Sequence, residues 1–134
     1  MLERALVISS RLKNIDRVKD FLQEVYHEYS LNMNSFNRVF LGISEAVNNA
    51  IIHGNHLNPE KNVFIKMNLS GHLFKIEVED EGQGFSENVL IDPTVSENIR
   101  QEHGRGVYII RQLANELVFE DQGRKVIIQF TIPE

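Results

Sequence analysis

The sequence predicts an α/β (α+β) two-layer sandwich, a mostly antiparallel mixed sheet with helices on one face. Three observations predict it. Apolar residues recur at three- and four-residue steps in two long runs between residues 12 and 51. Strand-like runs follow over 63–69 and 73–79, the second alternating cleanly between apolar and polar. The elements then come in the order βααββ-loop-αββ, which lacks the regular strand–helix alternation of a parallel sheet.

Each element has a local cause. Residues 3–9 hold Leu6, Val7 and Ile8 together and read as a first strand. From Leu12 to Tyr29, the residues Ile15, Val18, Phe21, Leu22, Val25 and Tyr29 form an apolar stripe with charged residues between them. Asn32, Asn34 and Ser35 break that pattern and offer an N-cap. A second helix buries Phe36, Val39, Phe40, Ile43, Val47, Ala50 and Ile51, and is expected to end near Gly54 as a left-handed terminator. Residues 56–60 read as a turn, and Ser70-Gly71-His72 joins the two middle strands. Residues 86–103 contain Pro93 and little periodicity, so they read as a long connection of the kind that often carries function. Val107, Ile110, Leu113, Ala114 and Leu117 mark a third helix. Residues 118–120 and 126–130 close the chain as a hairpin around Asp121-Gln122-Gly123-Arg124. With no repeat, low-complexity segment or linker, residues 1–134 read as a single domain.

Composition excludes several classes of function. The length of 134 residues supports one core and is too short for two. Fourteen Lys+Arg against nineteen Asp+Glu give a net charge of −5 with no basic run. That balance speaks against direct nucleic-acid binding, which needs clustered cations. Without cysteine there is neither a disulfide framework nor a thiolate zinc site. No apolar run approaches the ~20 residues that span a bilayer, so no membrane partner is expected. Met1-Leu2-Glu3-Arg4 has no signal-peptide core, and the expected compartment is the cytoplasm.

Three stretches carry chemistry. In Glu45-Ala46-Val47-Asn48-Asn49-Ala50-Ile51-Ile52-His53-Gly54, Glu45 and Asn49 stand four residues apart and so share one helix face, with His53 continuing the row. A carboxamide oxygen suits Mg²⁺, a hard cation, and a carboxylate beside it could activate a water or a hydroxyl. A plain solvated row on an amphipathic helix is the competing account. In Asp80-Glu81-Gly82-Gln83-Gly84-Phe85, the aspartate ends a strand and could accept a hydrogen bond from the amino group of adenine. Gly82 and Gly84 leave no side chain between backbone and ligand, although an Asp-Glu-Gly turn also simply ends strands. Gly104-Arg105-Gly106 is expected at a helix start, where free amides and the dipole favour an anion and Arg105 adds a charge for phosphate. Ordinary loop geometry would also produce it.

In order and spacing, the three stretches resemble the motifs of the GHKL (histidine kinase-like) ATPase superfamily. Within it the chain is similar to the small bacterial anti-sigma-factor serine/threonine kinases. Glu45-x-x-x-Asn49-Ala50-x-x-His53-Gly54 matches their N box, Asp80-x-Gly82-x-Gly84-Phe85 their first G box and Gly104-Arg105-Gly106 their second. The resemblance implies the Bergerat fold, with ATP and Mg²⁺ held between helices and sheet under a lid at residues 86–103. It implies Asn49 as the Mg²⁺ ligand, Glu45 as the catalytic base and Asp80 as the adenine-recognising group. Gly82 and Gly84 would shape the purine pocket, and Gly104, Arg105 and Gly106 would meet phosphate. Implied partners are an anti-sigma-factor antagonist, phosphorylated on serine, and a sigma factor. An unpaired first strand is a candidate edge for a homodimer. The alternative function is a non-catalytic module that uses ATP, or no nucleotide, to set its shape for a protein partner. Where many relatives carry Gly-Thr near the last strand, this chain has Gly123 followed by Arg124 and Lys125.

Overall fold

The structure, a computed structural model, describes residues 2–83 and 97–133 and, over 97–104, the course of the backbone alone. Gly84, Phe85 and most of the expected lid lie outside the described residues. The chain runs β1 (Leu2–Ser9), α1 (Ile15–Glu28), α2 (Phe36–Asn49), β2 (Asn62–Ser70), β3 (Leu73–Glu79), α3 (Glu97–Leu113), β4 (Glu116–Glu120) and β5 (Lys125–Thr131). Short 3₁₀ turns precede α1 and α2, at Leu12–Asn14 and Met33–Ser35, and a π-helical turn, Ala50–Gly54, extends α2. The strands form one sheet in the order β1-β2-β3-β5-β4 with every pairing antiparallel. The helices lie on one side, giving the expected two-layer α+β fold with β1 and β4 as its edges.

Register sets which side chains meet the helices. Met67, Ile76 and Ile128 form one cross-strand row, and Leu69, Phe74 and Phe130 the next. Apart from the partly buried Leu69, all of these are buried, and they pack against the stripes Val18, Leu22, Val25 of α1 and Val39, Ile43, Val47 of α2. Helix α2 approaches the sheet closely because it carries Gly42, where an added Cβ would stand 2.7 Å from the Phe130 ring. Asn32 caps the turn into α2, accepting the Asn34 backbone N–H at 2.9 Å. Tyr26 packs edge-on against Phe36 at 5.2 Å and shares a 2.8 Å hydrogen bond with Ser35, which joins the two helices. Gly71 occupies the first position of the β2–β3 loop at φ +60, a conformation glycine supplies without strain.

Three local expectations change. Helix α2 does not end on a left-handed Gly54: the π-helical turn carries through it, and the left-handed residues are His56 and Leu57, at φ 52 and 59. Helix α3 begins at Glu97, so part of the expected connection is helical and Gly104-Arg105-Gly106 lies in its interior rather than at its start. The amides there belong to the helical ladder, which removes the free N–H groups that a helix N-terminus would offer an anion. Leu117 stands in β4 opposite Ile128 instead of on α3. Asn115 makes that turn, donating its backbone N–H to the Gln129 carbonyl and accepting the Thr131 N–H on its side chain. Among the described residues no helix is long and apolar enough to cross a membrane.

Candidate functional site

Helix α2 sets the first wall of a cleft. Its regular turn puts Glu45 and Asn49 on the side facing α3, where both converge on Gly106. A Cβ added to Gly106 would lie 3.0 Å from Asn49 Nδ2 and 3.3 Å from Glu45 Oε2. The glycine therefore lets α3 close on these two polar side chains. The π-helical turn then breaks the four-residue period, so His53 does not continue the row at regular helical spacing. What the turn achieves is to bring the Gly54 backbone against the Asp80 carboxylate, where any side chain at Gly54 would overlap the carboxylate oxygens.

The sheet supplies the opposite wall. Asp80 follows β3 on the side facing the helices and is only 9% exposed. Its backbone N–H donates to the Arg124 carbonyl at 2.9 Å, continuing the β3–β5 ladder by one residue. Its Oδ1 accepts the Gly82 N–H at 2.8 Å, which leaves Oδ2 for another donor. Gly82 is required by proximity rather than by φ, since a Cβ there would run into the Gly54 carbonyl. Ala46, Asn49, Ala50, Gly54, Val78, Asp80, Gly123 and Val126 line the resulting cleft, with about 320 Å³ of space including its mouth. Its walls are apolar apart from Asp80 and Asn49, as suits a flat heteroaromatic ring held by a few directional groups.

Electrostatics single out Asp80. Burial pushes its carboxyl above the usual range, opposed by the Gly82 amide, Arg124 and His56 and reinforced by Glu79. Arg124 lies beside it, paired with Asp121 at 2.8 Å and reaching the Gly82 carbonyl at 3.5 Å. The β4–β5 turn that carries this arginine is wound left-handed at Asp121, Gln122 and Gly123, a strained arrangement that sets Gly123 into the cleft wall. At the position after Gly123, the backbone carbonyl of Arg124 does the work of holding Asp80.

Among the described residues, no three His, Cys, Asp or Glu side chains gather as a metal cage. The oxygens of Glu45 and Asn49 are a sparse, hard donor set. Such a set fits Mg²⁺, which keeps waters and completes its shell with substrate phosphates. The second oxygen of Asp80 fits an amino group donated by a purine. The structure thus brings Glu45, Asn49, Asp80, Gly82 and Gly106 to one cleft and leaves Arg105 exposed on α3. Gly104 directly precedes Arg105 on the same helix, and Gly84 lies outside the described residues. Two contributors escaped sequence reasoning. Gly123 reads there as a hairpin residue where many relatives carry Gly-Thr, not as cleft wall, and Asn55 carries no reading although it is 1% exposed and fully hydrogen-bonded.

Comparison with known proteins identifies the family and the fold. The model of the histidine kinase-like ATPase domain family matches residues 8–130. An anti-sigma F factor of Thermoanaerobacter sp. is 33% identical over 92 residues, 66% of this chain and 64% of that protein. The anti-sigma F factor of Bacillus subtilis is 44% identical over 45 residues, 34% of this chain and 31% of that protein. The matches thus span from about a third to just under two thirds of these relatives' length. A crystal structure of the RsbU and RsbW domains of a Mycobacterium tuberculosis protein superposes with a TM-score of 0.70 and 14% identity, over 98% of this chain and 32% of that one, and shares its fold. The chain belongs to the histidine kinase-like ATPase domain family.

Proposed function

We propose that this chain is an ATP-dependent serine/threonine protein kinase that acts as an anti-sigma factor in a partner-switching module. Membership in an ATPase-domain family implies an ATP-binding site. The observation that carries the finer reading is the Glu45–Asn49 pair facing Gly106 at the open side of the Asp80 cleft. The relatives named anti-sigma F factor supply the class of partner.

In this reading Asp80 Oδ2 accepts the adenine amino group while the Gly82 amide holds Oδ1 in place. Gly54 and Gly82 keep side chains out of the purine's plane, and Asn49 offers its carboxamide oxygen to Mg²⁺. Bound Mg²⁺ would neutralise phosphate charge, which is most of what phosphoryl transfer asks of a protein besides positioning. Glu45 takes the proton from the acceptor serine hydroxyl. Arg105, exposed on α3, meets the phosphates, and Gly106 lets α3 lie against Glu45 and Asn49. The acceptor is a serine of an anti-sigma-factor antagonist, and the unphosphorylated antagonist competes with a sigma factor for this chain. A homodimer through the β1 edge and a cytoplasmic setting complete the proposal.

Phosphotransfer from labelled ATP to a purified antagonist tests it, with Glu45→Gln as the control. Label on a single serine that disappears in Glu45→Gln supports the kinase. Stable binding of the antagonist with no transfer by wild type overturns the enzymatic half.

A further inference from the structure

We propose that Asn55 is a positioning residue for base recognition, holding Asp80 at the reach that separates adenine from guanine; the inference rests on the ATP-site reading above. Asn55 directly follows Gly54, whose backbone abuts the Asp80 carboxylate. Its own side chain is buried and lies outside the cleft's lining. Oδ1 accepts the Glu81 backbone N–H at 2.8 Å, and Nδ2 donates to the Asn62 carbonyl at 2.9 Å and to Ser10 Oγ at 2.8 Å. Both amide protons are used, and the three partners belong to three different segments: the residue after β1, the first residue of β2 and the turn after β3.

The arrangement fixes Asp80 from the neighbouring residue. Glu81 is tied twice, by its N–H to Asn55 and by its carboxylate, which accepts the Asn62 N–H at 2.7 Å. Asp80 itself is tied on the other side through its N–H to Arg124. A shift of the carboxylate away from the helix end therefore strains the Asn55–Glu81 bond. Ser10 extends the network by donating its hydroxyl to the Lys61 carbonyl at 2.8 Å, so the Asn55 amide is anchored at its far end as well. Buried networks in which every member is satisfied hold one geometry, because each alternative strands a polar group. Asn55 is too buried to touch a nucleotide, so any influence on the base passes through Asp80.

The chemistry of the base makes position matter. Adenine presents an amino donor where guanine presents a carbonyl acceptor. A carboxylate held firmly at that point accepts from the first and repels the second. A carboxylate free to move relaxes the choice, since it can swing away from the guanine oxygen.

Calorimetric titration of ADP and GDP into wild type, Asn55→Ala, Asn55→Asp and Ser10→Ala, each repeated in an Asp80→Asn background, tests the inference. Asn55→Ala should lower the ADP-over-GDP affinity ratio about tenfold, the scale of one lost hydrogen bond. Asn55→Asp keeps an acceptor for the Glu81 N–H and loses the donors, so its ratio should fall less than that of Asn55→Ala. This variant carries the test if the alanine variant does not fold. Ser10→Ala loosens only the far end of the network, so it should lower the melting temperature and reduce the ratio less than Asn55→Ala does. In the Asp80→Asn background, the Asn55 substitutions should no longer move the ratio. Wild-type discrimination in both Asn55 variants, or an equal loss with and without Asp80, overturns the inference alone. Failure of wild type to bind either nucleotide overturns the ATP-site reading and this inference with it.

Discussion

On the proposed reading, Asp80 serves nucleotide recognition at a cost to the empty fold. Burial raises its carboxyl above the ordinary range, so the folded protein favours the protonated form. The corresponding stabilisation is complete below the unfolded carboxyl's pKa and lost as pH rises through the raised folded value. At neutral pH the ionised group is therefore a net burden. Asp80→Asn removes the charge and retains an acceptor for the Gly82 N–H. Its melting temperature without nucleotide should exceed that of wild type at pH 7, with the gap closing only as pH falls below about 4, the unfolded carboxyl's own pKa. The same variant should bind ADP about a hundredfold more weakly, since a carboxylate acceptor has become a neutral amide whose other edge donates. Thermal scans at the two pH values and one titration check both halves. Glu45 behaves differently. Glu45→Gln should leave ADP affinity nearly unchanged while phosphotransfer falls about 10²–10⁴-fold, the usual contribution of a general base.

At the scale of elements, the junction of α2 with its π-helical turn makes the cleft. Gly54→Ala puts a methyl group into the space of the Asp80 carboxylate and should abolish measurable ADP binding while the far-ultraviolet circular dichroism stays native. Gly42→Val tests the other contact of α2: the branched side chain meets the fully buried Phe130 ring and should destabilise by roughly 1–3 kcal/mol in urea unfolding, without changing base selectivity. The legibility of the sequence follows the same line. Glu45 and Asn49 were readable as a pair because four-residue spacing has one meaning inside a helix. Gly54 was misread because a glycine after a helix signals either a left-handed cap or a close approach, and only the position of Asp80 decides between them. The start of α3 was hidden because residues 97–103 hold a single apolar residue, Ile99, and so show no stripe for a periodicity argument to find. Asn55 was invisible because its partners come from segments 45, 7 and 26 residues away.

At the scale of the molecule, the layers were legible and the site's closure was not. The alternation of residues 73–79 and the stripes of α1 and α2 fix which faces are apolar, and two apolar helix stripes on one apolar sheet face leave one way to pack. The antiparallel order β1-β2-β3-β5-β4 leaves the cleft between α2 and the β3–β5 pair, where strands distant in sequence meet. Because the two walls belong to different layers, a ligand that bridges them stabilises the whole fold. Mg²⁺-ATP at a hundred times its dissociation constant should raise unfolding stability by about 2.7 kcal/mol. Asn49→Ala should keep the response to nucleotide alone and lose the added response to Mg²⁺, as differential scanning fluorimetry with and without chelator would show.

The most direct test of the central claim is a calorimetric titration of ATP, with and without Mg²⁺, into wild type and Asp80→Asn. The account predicts saturable binding at one site in wild type, tightened by Mg²⁺, and weakened about a hundredfold by Asp80→Asn. Equal affinity in the two proteins, or no binding by wild type at millimolar nucleotide, would contradict it.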